Sequence, residues 1–451
     1  MTRLAILWFV LGGVVAQGAT VTPVVEGPIP SVAAGDPSRN YPWAATDVDL
    51  AGAGFVEEEF FFTGEARHCL GTGCLEGTHP YRSRMIVRRP AAARRFNGTV
   101  IVEWLNVTDQ RDGDYDWLML SDHILRAGYA WVGVSAQRVG IDAPVTGLKA
   151  WSPSRYGGLD VTAGGTIVDD GLAFDVFSQA GAALRSPGAV DPLGPLRKRK
   201  RGVERLIATG HSQSAILLTP YINTAHADAG VYDGFILHST GGRISPDVDT
   251  RTFHLRAESD VRLFPRHDDD DRVRTWEVAG TSHFDWRQES GRTGVLVRDL
   301  GFVPPPPQPC DLPYWTRVPF HHVFAAAVDH LVEWIAKSTP PPHAEPIAVT
   351  GTTIVRDAAG HVSGGIRLAD YEVPTADNSG GNRGMAAFCA DSLIGSYAPY
   401  SAATLATLYP RRRAYVKRVR SVAKANQRDG FIVRADATAT IRAARVSDIG
   451  D

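Results

Sequence analysis

Strands and helices alternate through most of this chain, and the alternation predicts an α/β fold: a mostly parallel central sheet with helices on both faces. Three observations carry that reading. Short apolar runs bounded by Gly, Pro or Asn give way to segments with apolar residues at helical spacing, from Phe60 as far as Ala336. The run at 129–135 (YAWVGVS) is apolar throughout, as a strand covered on both faces must be. A Gly/Ser turn at 210–215 stands directly between the strand VERLIAT and a helix beginning SAILL.

The elements follow in order. Residues 60–63, 81–87 and 99–105 read as strands, and 117–127 as a helix stopped by Gly128. After the strand at 129–135, residues 141–165 contain Pro, Gly and Trp without period and read as an inserted cap loop. A helix at 168–184, a strand at 203–209 and a helix at 214–225 come next. Strands are expected at 232–237, 253–257 and 273–279, then a helix at 322–336 with Phe324, Val328, Leu331 and Ile335 on one stripe. Residues 286–317 are a second candidate cap element. Beyond Pro340–Pro342 the pattern changes: 362–374 is loop-like, 377–381 a polar turn, and 402–408, 412–425 and 436–446 are helical. The expected organisation is a core over 20–345 and a helical C-terminal extension over 346–451, packed on that core.

Composition excludes more than it names. With 47 Lys+Arg against 49 Asp+Glu the net charge is −2, and hydrophobic residues make up 44%. The chain is too apolar for a disordered protein and too neutral for one that grips nucleic acid phosphates. Arg3, the apolar run 4–15 (LAILWFVLGGVV) and the small residues Ala16, Gly18 and Ala19 form the pattern of an export signal. That run is shorter than the roughly 20 residues a membrane span requires. The leader is expected at 1–19, and the mature protein is expected to be secreted or periplasmic, without a membrane span. An oxidising compartment gives the four cysteines a role. Cys69 and Cys74 flank a short turn (CLGTGC) that suits a local bridge, which leaves Cys310 and Cys389 to tie the core to the C-terminal region. No C-x-x-C or Cys/His spacing indicates a metal site, and no cofactor is expected.

The turn Gly210-His211-Ser212-Gln213-Ser214-Ala215 carries the chemistry. A sharp strand-to-helix turn lifts a serine hydroxyl clear of the sheet edge, and small residues are needed where the two backbones approach. The match is G-x-S-x-S rather than G-x-S-x-G. A nucleophilic serine needs a base, and His283 follows a strand through Gly280-Thr281-Ser282 at the position from which an imidazole could reach back. The acid belongs in the loop after the preceding strand, where FHLRAESD offers Asp260, preferred as the loop tip, or Glu258 as the alternative. Backbone N–H groups of Gln213 and of Asn106 or Val107 are candidates for an oxyanion hole.

Other histidines have plainer readings. His211 shapes the elbow's backbone, His238 could line the pocket, and His321 and His322 start a helix. His267 with Asp268–Asp271, and the basic runs 197–201, 411–413 and 417–420, read as solvated surface. Asn97 and Asn106 head glycosylation sequons, and a glycan on Asn106 would obstruct the site.

The run VIVEWLNVTDQRDGDYDW, the elbow GHSQSA and the segment WEVAGTSHFD resemble the bacterial "alpha/beta hydrolase domain" proteins, a branch of the α/β-hydrolase superfamily. The likeness extends over most of the mature chain, LYPRRRAYV included. It implies an α/β-hydrolase fold and a serine hydrolase with Ser212, His283 and an acid at Glu258 or Asp260, and it carries no substrate. The expected activity is hydrolysis of a small-molecule carboxylic ester through an acyl-enzyme. Acyl transfer or C–C bond hydrolysis on the same residues, or a non-catalytic binding protein on a hydrolase scaffold, are the alternatives. Oligomeric state is not legible.

Overall fold

The computed structural model describes residues 20–70, 73–198, 202–302, 310–351, 353–358, 360–384, 389 and 393–450. The expected export leader lies outside them, as does most of the basic run 197–201.

One sheet of nine strands organises the fold: β1 (Val24–Glu26), β2 (Phe55–Ala66), β3 (His79–Pro90), β4 (Thr99–Trp104), β5 (Ala130–Val134), β6 (Arg205–His211), β7 (Gly234–His238), β8 (Arg251–Ala257) and β9 (Val273–Val278). Their spatial order is β1-β2-β3-β5-β4-β6-β7-β8-β9. Pairing is antiparallel from β1 to β5 and parallel from β5 onward. All C-terminal ends of the parallel strands therefore meet at one edge, where the loops carrying Ser212, Asp260 and His283 emerge.

The strands bury both faces. In β4, Val100, Val102 and Trp104 enter one core while Ile101 enters the other, as the two-residue period of a strand requires. Helices α2 (Ala173–Arg185) and α3 (Gln213–Asn223) cover the first face through Phe174, Phe177 and Tyr221. Helices α1 (Tyr115–Ala127) and α5 (Phe320–Lys337) cover the second through Trp117, Leu120, Phe324 and Leu331. Helix α1 stops where expected, with Gly128 in the left-handed conformation at φ 78°.

Two expectations need correction. Residues 141–165 are not an unstructured insertion: helices Arg138–Asp142, Leu148–Trp151 and Pro153–Tyr156 run through them. Trp151 and Tyr156 pack with Tyr41, Trp43 and Phe61, and Arg155 donates to buried Glu59 at 2.7 Å. One-turn helices are too short to display a 3.6-residue period, so pattern reading could not find them. The expected polar turn at 377–381 begins as a strand, Ala376–Ser379, paired with Ser396–Pro399. Residues 286–317 open with a helix, α4 (Trp286–Leu300), whose Asp285 forms a reciprocal capping box with Gln288.

The C-terminal helices form as expected: Ala402–Leu408, then α6 (Arg412–Arg428) and α7 (Arg434–Val446). Ala423, Ile432, Ala437 and Ile441 join the second core. Cys69 pairs with Cys74 and Cys310 with Cys389, the arrangement expected from spacing.

Candidate active site

Strand β6 ends at His211 and α3 starts at Gln213, leaving Ser212 alone to reverse the chain. It does so at φ 55°, ψ −115°, outside the comfortable regions for a residue with a Cβ. Its N–H donates to the His238 carbonyl at 2.9 Å, and its own carbonyl accepts from Ile216 at 2.8 Å. A Cβ at Gly210 would meet Ser214 Oγ at 2.9 Å, which explains glycine there. Serine in place of the pattern's last glycine fits for a positive reason. Ser214 Oγ accepts from the His211 N–H at 3.0 Å and lies 3.1 Å from the His211 carbonyl, tying the turn to itself.

Ser212, His283 and Asp260 come together. Ser212 Oγ lies 2.6 Å from His283 Nε2, and His283 Nδ1 lies 2.7 Å from Asp260 Oδ1. The second carboxylate oxygen of Asp260 accepts the Ala257 N–H at 2.7 Å. Burial pushes the Asp260 carboxyl upward, but its electrostatic interaction and hydrogen bond with His283, the Ala257 N–H and Arg256 outweigh it, and the net shift is downward. Asp260 is thus held ionised beneath the imidazole. Ser259 Oγ accepts the His283 N–H at 2.8 Å, so the acid loop also positions the histidine backbone.

Glu258 is engaged elsewhere. Its carboxylate accepts the Gly280 N–H at 2.7 Å and a guanidinium hydrogen bond from Arg356. It joins the loops after β8 and β9 to the C-terminal region, and it does not touch His283. Sequence reading missed Arg356, a lone cation in a polar hairpin with nothing local to distinguish it.

The remaining histidines behave unevenly. His211 Nε2 donates to the His283 carbonyl at 2.8 Å, so it shapes the opposing loop as well as the elbow. His238 does not line a pocket: it is fully buried, with Nδ1 2.7 Å from Asp116 Oδ1. Asp116 also accepts from Thr209, which sets a polar layer beneath the elbow. The DGDYDW run holds three aspartates, two of them, Asp112 and Asp116, buried, and nothing in its spacing marks Asp116 as the partner of His238.

For the oxyanion donors, the Asn106 N–H is spent on the Gly113 carbonyl at 3.1 Å, whereas the Val107 N–H points at the elbow, 3.3 Å from Gln213 Oε1. The Gln213 N–H opens α3, where no preceding turn accepts it. The Gln213 side chain is held by its Nε2 donating to Gln137 Oε1 at 3.0 Å, and Gln137 in turn donates to Asp170 at 2.8 Å. Asn106 is buried, with Nδ2 donating to the His211 carbonyl at 2.7 Å, so its amide is part of the elbow's support and not a surface sequon.

Among the described residues, the Cys69, Cys74 and Asp175 group has ligand spacing, and its two cysteines are bonded to each other. The aspartate run is more than solvated surface: Asp269 accepts from Thr275 N and Arg274, and Asp270 from Arg272 N and Val273 N, closing the turn into β9.

A parallel sheet whose central strand ends in a strained serine elbow, with histidine and acid on later loops, defines the α/β-hydrolase fold. A family model described as "alpha/beta hydrolase domain" matches residues 25–442, and the chain belongs to that family. Among curated proteins, none matches the chain in sequence. Solved structures similar to it include a serine hydrolase of Xanthomonas campestris described as lacking a lid, 13% identical, covering 54% of this chain and 97% of that one at a TM-score of 0.28. A cold-adapted esterase from an Arctic intertidal metagenomic library is 12% identical, with 54% and 91% covered and a TM-score of 0.27. A glucuronoyl esterase from Solibacter usitatus is 11% identical, with 56% and 72% covered and a TM-score of 0.26. Likenesses this distant say nothing of substrate. Among the described residues no helix is long and apolar enough to cross a membrane.

Proposed function

We propose that the protein is an exported serine hydrolase that cleaves carboxylic esters. The observation that carries the reading is the continuous hydrogen-bond chain from Ser212 Oγ through His283 to Asp260, mounted on a backbone strained to present the hydroxyl. The apolar leader and the two disulfides support export.

In this reading, His283 Nε2 takes the Ser212 proton as Oγ attacks the ester carbonyl. Asp260 fixes the Nδ1–H tautomer and stabilises the imidazolium that forms. The carbonyl oxygen displaces Gln213 Oε1 from the Val107 N–H and also receives the Gln213 N–H, so negative charge grows against two fixed donors. His283 returns its proton to the departing alkoxide, and a water repeats the sequence on the acyl-enzyme. No cofactor enters these steps.

The test is turnover of activated esters of graded acyl length by wild type and Ser212→Ala, with intact-mass detection of the acyl-enzyme. Loss of turnover and of the acyl adduct in the variant is expected. Equal rates, or failure of a fluorophosphonate to label Ser212, would remove the serine from the mechanism.

A further inference from the structure

The C-terminal hairpin carries charge that the proposed chemistry does not use. Residues 411–446 hold eleven Lys and Arg against two acids, Asp429 and Asp436, a segment of +9 on a chain whose total is −2. The charge is ordered. On α6, Arg413, Lys417, Arg420, Lys424 and Arg428 recur at four- and three-residue steps and form one stripe along the helix. The buried residues of α6, Val419, Ala423 and Asn426, lie on the opposite side. On α7, Arg434, Arg442 and Arg445 form a second exposed stripe. Among the described residues no carboxylate pairs with Arg413, Lys417, Arg420 or Arg428.

Directly before α6 stands the helix Ala402–Leu408 (AATLATL), which has no charged residue, anchors only Leu405 against its neighbours and leaves its other side chains exposed. Leu408 is 42% exposed. The Arg412 N–H donates to the Gly450 carbonyl at 2.8 Å, which returns the end of α7 to this point and places Val446, 78% exposed, at the same end of the hairpin. Exposed Leu408 and Val446 at one end of a hairpin with two cationic stripes match a surface with negative headgroups over hydrocarbon. A nucleic acid or an acidic polysaccharide would answer the arginines and leave the apolar helix without a counterpart.

We propose that the C-terminal hairpin docks the protein peripherally on an anionic lipid bilayer, with the cationic stripes on the headgroups and the 402–408 helix at the acyl boundary. Unpaired arginines near such a surface attract it individually, and the attraction decays within a Debye length.

The full chain is sedimented with vesicles of phosphatidylcholine alone, or of phosphatidylcholine mixed with phosphatidylglycerol, at low and high salt. Binding is expected only to the mixed vesicles, and weakened by salt. The triple variant Arg413→Glu, Lys417→Glu, Arg420→Glu is expected to bind roughly a hundredfold more weakly. Leu408→Ser with Val446→Ser should weaken binding roughly tenfold. Both sets alter exposed positions that take no part in the proposed chemistry, so hydrolysis of a soluble ester is the control for folding. No binding to mixed vesicles, or wild-type binding by the triple variant, overturns the proposal. Wild-type binding by the apolar double variant, with displacement by duplex DNA, overturns the lipid assignment equally.

Discussion

His211 Nε2 lies 2.8 Å from the carbonyl oxygen of His283, so the residue before the serine holds the loop that carries the opposing imidazole. A carbonyl can only accept, which places the proton on Nε2. Burial, followed by the neighbouring His238 and His283, drives the His211 pKa well below its ordinary value, so the ring stays neutral and keeps this donor. His211→Ala should release the His283 loop by a fraction of an ångström, lowering kcat for an ester roughly 10- to 100-fold with KM little changed. Glutamine, whose amide nitrogen reaches a comparable distance, should recover part of the loss. Steady-state kinetics of the two variants decide it: an alanine variant as fast as wild type means the loop is held by other contacts.

Asp260 and Glu258, two residues apart, make separable predictions. Asp260→Asn leaves the imidazole without an ionised partner and offers it the wrong tautomer, so kcat should fall by about 10³ to 10⁴ while the fold persists. Glu258→Gln leaves Arg356 facing a neutral amide and loosens the joint between two loops and the C-terminal region. Its main effect should be on stability, about 1–3 kcal/mol by urea denaturation, with a smaller loss of kcat. The reverse ranking of the two variants in kcat would exchange their roles.

What was legible in the sequence follows from where the information lies. The parallel sheet announces itself because strands buried on both faces must be continuously apolar, as in AWVGV. The elbow announces itself because only small residues fit between β6 and α3. The long-range joints do not: Arg356 finds Glu258 across 98 positions, and Gln213 finds Gln137 across 76, with no local pattern to mark either pair. The histidines are ambiguous for a related reason. Whether His238 faces a pocket or a buried Asp116 depends on which side of a strand end the next layer packs, and that is set by α1 and α5.

The left-handed φ of Ser212 predicts an exchange between stability and activity. Alanine keeps the Cβ and hence the strain, whereas glycine adopts this conformation freely. Ser212→Gly should therefore be more stable than Ser212→Ala by about 1 kcal/mol, with both inactive. Each variant loses the same hydroxyl, so the difference reads the relief of backbone strain net of glycine's greater unfolded-state entropy. Equal melting temperatures for the two would mean that the loop contacts, not the serine's geometry, fix the turn.

Asp285 gives a pH dependence of stability with a definite sign. Burial raises its carboxyl to about 6, against the Gln288 N–H, which pulls it down as the helix cap. A carboxyl whose folded pKa exceeds its unfolded value binds its proton more tightly in the folded state. Between the ordinary value of 3.8 and about 6 the folded protein therefore holds the extra proton, and stability falls as pH rises through that window. Above it the cost is complete, at about 3 kcal/mol for a shift of this size. Asp285→Asn keeps a side-chain oxygen for the cap and has no charge to bury. Its stability relative to wild type should be near zero at the acid end of the window, grow on raising the pH, and level off above the window. Urea denaturation of both proteins across the range reads this directly, because every other titrating group is common to the pair. A constant offset between the two curves would mean that Asp285 ionises normally, with its charge met inside the fold.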